Sequence, residues 1–394
     1  MITAAIPYMI LIITLAFAVF MISKKVELKL FEVLPPIVLL YLGCMLLSSI
    51  GLWHKTQQIN DAYKMAKVIV LPSMIFLMLL KCDLRKIWNL GPKMILAFFA
   101  ASFSIGIGFI VTYSLFKTPY AGLIFSKTYT PDTWKAFAAL SGSWMGGTGN
   151  MVAVQGALKI PDANLGYALL MDSINYAVWV AALLSAVPFA KHFNKWTKAN
   201  TSALKEVTEK LAAENVEDDH LTKTSLPVLI VAAAIAWFIS TQGATYLPVS
   251  AFFSTTTWTV LIATALGVTV ALKAPSHIEG SGDLAGFLLY ILVALIASRA
   301  NFAELASAPI YIVSGFFILG IHGLVMIVLA KIFHFDLFTC GVASLANIGG
   351  VASAPILAAS YNRSLIPVGI LMAMLGYVVG TGGGLLIGKI LSML

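Results

Sequence analysis

Charge is what this sequence has least of. Asp, Glu, Lys and Arg make up 11% of its 394 residues, against roughly 25% in an ordinary soluble domain. Hydrophobic residues reach 60%, and no water-soluble fold can keep that much apolar surface from solvent. Cysteine is scarce as well. Cys44, Cys82 and Cys340 stand far apart with no paired spacing, which argues against a disulfide framework or a zinc site. The chain has no GxxxxGK[ST] phosphate loop, no HExxH and no GxSxG. ATP-driven transport, intramembrane proteolysis and lipase chemistry therefore lack their residues, and no enzyme activity is expected. The formal net charge of +8 comes from basic residues set singly or in small groups beside apolar stretches. No basic stripe interleaves with aromatics, so nucleic acid is not an expected partner.

What is present is a series of apolar stretches of the length that crosses a bilayer. They fall at about 3–22, 32–53, 66–82, 93–116, 133–158 and 163–189, and then at 225–244, 254–273, 284–298, 309–333, 337–360 and 364–392. A hydrophilic stretch, 190–224, holds six lysines and Glu214, Glu217, Asp218 and Asp219, and divides them into two sets of six. The fold class read from this pattern is an all-α polytopic membrane protein with a first repeat over 1–189, a linker over 190–224 and a second repeat over 225–394. The first stretch has no basic residue before it, and Lys24 and Lys25 after it. That is the reverse of a cleaved signal peptide, so a retained first helix is expected.

The fifth stretch of each set is broken at its centre, by Ser141-Gly142-Ser143-Trp144-Met145-Gly146-Gly147-Thr148-Gly149-Asn150 and by Asn347-Ile348-Gly349-Gly350-Val351-Ala352-Ser353-Ala354-Pro355. Each glycine costs a helix about 1 kcal/mol against alanine. Bare backbone at membrane depth survives only where it is buried in protein or lines a cavity. If each broken segment turns back to its own side, and the N-terminus is outside, sixteen of the 25 basic residues lie inside, as the positive-inside bias requires. Each half then has five crossings and one re-entrant hairpin, and the second half is inverted. The repeat also shows in Leu169-Leu170-Met171 with Tyr176 against Ile370-Leu371-Met372 with Tyr377.

Inverted repeats with broken helices characterise secondary transporters. A break frees backbone groups to hold an ion or solute, and the helix ends facing it add partial charge. Candidate cation ligands are Asp172, Asn150, Asn347, Thr148 and Ser173. Candidate solute contacts are Ser141, Ser143, Gly146, Gly147, Gly149, Asn175, Gly349, Gly350 and Ser353, with Gln155 and Ser344 as further side-chain ligands. Tight packing by small residues is the competing explanation of the glycines. Asp172 is the sharpest of these residues, because a carboxylate about ten residues into an apolar helix usually marks an ion or proton pathway. His322, midway along 309–333, is either a proton relay or a satisfied packing residue. Arg299, grouped with Asn301 and Glu304, is either a carboxylate ligand or an interfacial anchor.

The motifs Gly146-Gly147-Thr148-Gly149-Asn150, Asn347-Ile348-Gly349-Gly350 and Met171-Asp172-Ser173 carry a family likeness over the whole length. The chain resembles the bacterial integral-membrane family called domain of unknown function 819. More distantly it is similar to sodium/glutamate symporters and 2-hydroxycarboxylate transporters, departing from the former around both tips. The resemblance implies a homodimeric elevator transporter of the bacterial inner membrane, with a scaffold part that dimerises and a core part that slides. The linker 190–224 is then cytoplasmic. The leading expectation is a Na⁺- or H⁺-coupled symporter of a small anionic solute: an amino acid, an organic acid or a short cell-wall peptide. A possible Na⁺ coupling ion is the one cofactor expected. The alternatives are a cation/proton antiporter and, in a different class, a non-transporting receptor or assembly factor.

Overall fold

The structure is a computed structural model that describes residues 1–25, 35–80, 82, 87–118, 132–199, 221–222, 224–250, 253–273, 279–300 and 308–394. Asn301 and Glu304, and residues 200–220 and 223 of the hydrophilic stretch, lie outside the described residues. Among those described, every regular element is helical. The first half holds α1 (Ala5–Lys25), α2 (Pro36–Ser49), α3 (Gln57–Leu80), α4 (Gly91–Phe116), α5 (Thr133–Gly146), α6 (Thr148–Ala157), α7 (Asp162–Ala186) and α8 (Ala190–Thr197). The second holds α9 (Ser225–Thr245), α10 (Thr255–Lys273), α11 (Ser281–Ala297), α12 (Ala308–Phe333), α13 (Leu337–Ile348), α14 (Ala354–Tyr361) and α15 (Ile366–Leu391).

Eight helical spans among the described residues are long and apolar enough to cross a membrane. The helix α2 is shorter than the expected 32–53, and α2 and α11 have 14 and 17 residues, or about 21 and 26 Å of helix at 1.5 Å per residue. The third helix starts at Gln57 rather than 66. Apolar periodicity missed its first turns because they carry Asn60, Asp61, Lys64 and Lys67 among Ile59, Tyr63 and Met65. Many outward faces are apolar: α9 exposes Val228, Val231, Ile235 and Phe238. Such faces belong against lipid, whose tails are as apolar as the residues themselves.

Both fifth stretches are broken where glycine permits it. The first break sits at Gly147, φ +87°, a backbone conformation that a side chain disfavours. The second passes through Gly349 and Gly350 (φ +59°) into a single turn of 3₁₀ helix, Gly350–Ala352. There the chain reverses and α14 runs back along α13. The Phe338 and Tyr361 rings, from the far ends of the two arms, meet edge-to-face at 5.3 Å. Nearer the tip, a β-carbon on Gly341 would lie 3.0 Å from the Leu357 side chain. Asp336 caps α13 by accepting from the Thr339 N–H (2.8 Å) and hydroxyl (2.7 Å), and it pairs with Lys93 at 3.2 Å.

The chain forms two compact units, neither of which is a sequence half. Unit one comprises Met1–Lys81, Val152–Ile174 and Asp219–Tyr311; unit two comprises Cys82–Met151, Asn175–Asp218 and Ile312–Leu394. Each takes the corresponding part of both halves: α1–α3 with α9–α11 in one, and α4, α5, α12, α13, α14 and α15 in the other. Unit two is held by close backbone approach. A β-carbon on Gly146 would overlap the Gly376 carbonyl oxygen and lie 2.8 Å from Gly380 Cα. Small residues four apart allow this contact between α5 and α15.

Gly380→Ala is therefore expected to lower stability by about 1–3 kcal/mol, the usual cost of overpacking. Gly382→Ala, two residues away with nothing within 4 Å of its β-carbon, should be neutral or stabilising by up to ~1 kcal/mol. Thermal unfolding of both variants in detergent checks this, and equal losses would show that the contact is not tight.

Candidate functional site

A buried asparagine lies beside each break in unit two, and the one at the first break serves a carbonyl at the end of the interrupted helix. Asn150, fully buried, points its amide nitrogen at the Gly146 carbonyl (2.6 Å). A carbonyl only accepts, so this fixes the orientation of the amide. The amide oxygen then accepts from the Thr381 hydroxyl at 2.6 Å. Asn347, also fully buried, donates to the carbonyls of Ala343 (3.0 Å) and Phe98 (3.2 Å) and accepts from the Ser102 hydroxyl at 2.6 Å. In both cases the nitrogen holds a carbonyl four residues earlier, across the break for Asn150 and within α13 for Asn347. In both, the oxygen takes a hydroxyl from a helix of the opposite half, α15 or α4.

A second reciprocal contact involves the tyrosines of the sequence repeat. A β-carbon on Gly349 would lie 2.5 Å from the Tyr176 ring, and one on Gly147 would lie 3.7 Å from the Tyr377 ring. The tyrosine of each half thus covers the glycine break of the other.

The remaining candidates divide by what their polar atoms already do. Ser141 gives its proton to the Ala138 carbonyl (2.8 Å), and the Ser143 carbonyl accepts from the Gly147 N–H (2.6 Å). Thr148 is partly exposed at the break, whereas Gly149 is buried. The Ser353 hydroxyl is buried beside Gly349 with no hydrogen-bond partner. Asn175 donates to the Ile312 carbonyl (3.0 Å), leaving its buried amide oxygen without a partner. Among the candidates in the described residues of unit two, Ser353 and Asn175 therefore offer uncommitted oxygens. Trp144 is fully buried against Phe109, with ring centroids 5.6 Å apart. Its role is packing.

His322 lies in a closed chain of hydrogen bonds. Ser104 donates to the Ala101 carbonyl (2.8 Å), so it accepts from Nδ1–H at 2.7 Å. Nε2 then accepts from Ser344 (2.8 Å), whose oxygen accepts from the Trp179 indole N–H (2.8 Å). The imidazole joins α4, α7, α12 and α13 within unit two.

Asp172 and Ser173 belong to unit one. Asp172 is half-buried and engaged by neighbours, while Ser173 donates to the Leu169 carbonyl (2.8 Å). Gln155 is not at the break. Seven residues into α6, it donates to the Ile160 carbonyl (2.8 Å) and to the Asp162 carboxylate (3.0 Å). It belongs to a polar cluster that apolar patterning overlooked. There Tyr63 donates to Asp162 (2.9 Å), Lys67 Nζ lies 3.6 Å from the same carboxylate, and Arg299 sits 5.5 Å over the Tyr63 ring. Lys67 and Tyr63 could have been found as polar residues spaced one helical turn apart. Thr381, inside the glycine run 380–384, and Ser102 gave a fainter signal, since a lone hydroxyl in an apolar helix usually bonds its own backbone.

The family model described as Protein of unknown function (DUF819) matches residues 9–394. The chain is also similar to the Uncharacterized membrane protein YjcL of Bacillus subtilis (strain 168). The two are 23% identical over 368 residues, covering 88% of this chain and 87% of that protein.

Thr381→Val leaves the Asn150 oxygen buried without its donor and is expected to cost about 1–3 kcal/mol; Ser102→Ala should act in the same way at Asn347. A double-mutant cycle of Asn150→Ala with Thr381→Val, read by thermal unfolding, should show coupling above about 0.5 kcal/mol. Additive losses would mean that this bond does not hold the break.

Proposed function

The chain belongs to the DUF819 family and is a multi-pass membrane protein, and we propose that it is a secondary active transporter. It moves a small anionic solute in symport with Na⁺ or H⁺. The observation that carries this reading is the pair of glycine breaks in unit two, each with a buried asparagine beside it and covered by the other half's tyrosine. Broken backbone is costly in a bilayer, and keeping two such breaks is understandable if they bind something. The matching element order of the halves and the reciprocal contacts support an inverted repeat. The mixing of both halves in each unit supports a scaffold and a sliding core. In this reading unit two is the core, and the solute's negative group is bound by hydroxyls and backbone N–H groups at the tips. Its uncommitted ligands are Ser353 and Asn175, with Gly146, Gly147, Gly149, Gly349 and Gly350 allowing close approach. Asn150 serves first to hold the first break open, and Asn347 stands beside the second.

Asp172 is the proposed coupling residue, and Ser173 and Thr148 remain proposed cation ligands. The protein works as a homodimer in the bacterial inner membrane, N-terminus outside and 190–224 in the cytoplasm. It performs no catalytic step.

The test is thermal stability in detergent, in sodium chloride against choline chloride, followed by solute flux in sealed proteoliposomes. A ligand that binds only the folded state raises stability by mass action. Sodium should stabilise the wild type and not Asp172→Asn, and a sodium gradient should drive uptake that the variant loses. Uptake driven only by a pH gradient would assign the coupling to protons. Uptake unchanged in Asp172→Asn would remove that residue from the mechanism, and solute binding without flux in any gradient would overturn transport.

A further inference from the structure

We infer that α8 and the residues fastened to it form a binding site for the headgroup of an anionic phospholipid. This inference is independent of the transport reading.

The helix follows α7 directly. Pro188, in a single 3₁₀ turn over Val187–Phe189, lies between the two. On it, Lys191 and Lys195 stand at i and i+4, the spacing that puts side chains on one face, and Lys198 follows as the left-handed C-cap residue (φ +58°). All three are exposed, as is His192 beside them. None of the three lysines pairs with a carboxylate among the described residues. Apolar rings accompany this charge: Phe189 is 65% exposed and Trp196 47%. Ile332 and Phe333, also exposed, extend the apolar surface next to Lys331.

The helix is not a loose appendage. Thr197 is fully buried. The Asn194 side-chain oxygen accepts from the Leu337 N–H at 2.8 Å, at the start of α13. Lys331 donates to the Trp196 carbonyl and lies 4.8 Å over that ring, while His334 Nδ1 lies 2.6 Å from the Thr197 carbonyl oxygen. Those two residues bond the carbonyl end of the helix, and among the described residues none of the three lysines is engaged there.

A short helix with lysines on one face and large apolar side chains on another suits the boundary between headgroups and acyl chains. The rings enter the upper chain region, and the flexible lysine stems carry their ammonium groups to the phosphates. A zwitterionic lipid brings its own cation to each phosphate, so net attraction requires an anionic one. A soluble acidic partner would account for the lysines but leave the rings without a role.

The full-length protein in detergent is titrated with phosphatidylglycerol, phosphatidylcholine and inorganic phosphate, reading thermal stability and lipid retained by native mass spectrometry. Phosphatidylglycerol should stabilise the wild type saturably, and raised salt should weaken it. The triple variant Lys191→Gln, Lys195→Gln, Lys198→Gln should lower the apparent affinity at least about tenfold, as expected of three surface lysines. The corresponding Lys→Arg variant should keep the affinity. Three results would each overturn the inference. They are equal binding of phosphatidylcholine, the full effect from inorganic phosphate alone, and phosphatidylglycerol binding by the glutamine variant as strong as the wild type's.

Discussion

A helix broken inside a membrane exposes amide and carbonyl groups that lipid cannot satisfy. At the first break part of that deficit is met by Asn150 at the Gly146 carbonyl. Asn150 is held by Thr381, and Asn347 beside the second break by Ser102, so α15 and α4 fix the two asparagines in place. The position of those helices depends in turn on glycine. With side chains at Gly146, Gly376 or Gly380 the backbones would stand further apart and the Thr381 hydroxyl could no longer reach Asn150. Packing and polar satisfaction, weighed against each other in the sequence as rival explanations of the glycines, are here two parts of one arrangement.

The arrangement also explains why the compact units do not follow the sequence halves. If each half closed on itself, its break would have to be satisfied locally, and its own α-helical backbone has few spare donors for the purpose. The two asparagines make similar bonds, an amide nitrogen on a carbonyl four residues back and an amide oxygen on a hydroxyl from across the chain, though only that of Asn150 reaches a carbonyl at a break. The two tyrosines make the same exchange. Tyr176 and Tyr377 were visible in the sequence as equivalent positions, and in the folded protein each is packed on the other half's glycine.

Much of the fold was legible because the bilayer imposes one strong rule on composition. Twelve apolar stretches became the observed helices, with ends shifted by a few residues. The exception, the early start of α3, came from a polar turn that carries Lys67 and Tyr63. Such a turn is invisible to an apolar criterion and obvious only once Asp162 is seen to receive both side chains. The breaks were legible from their glycines. The candidate site was legible in part: Asn150, Asn347, Asn175 and Ser353 stand out by type. Which of them are already committed depends on long-range partners that no local pattern encodes. Gln155 shows the limit, because its type suited the break while its helical position, two turns along α6, took it to Ile160 and Asp162.

The bond between Thr381 and Asn150 spans 231 residues of sequence, and this sets an order of events during synthesis. The first break is made, and must enter the membrane, long before the hydroxyl that completes it has been translated. Until α15 is released, the nascent first half carries an amide oxygen without its donor and lacks the backbone of Gly376 and Gly380 against Gly146. The first tip is therefore closed only when α15 arrives. A chain stopped short of α15 is left with its first tip unfinished, and cellular quality control has a defined lesion to recognise.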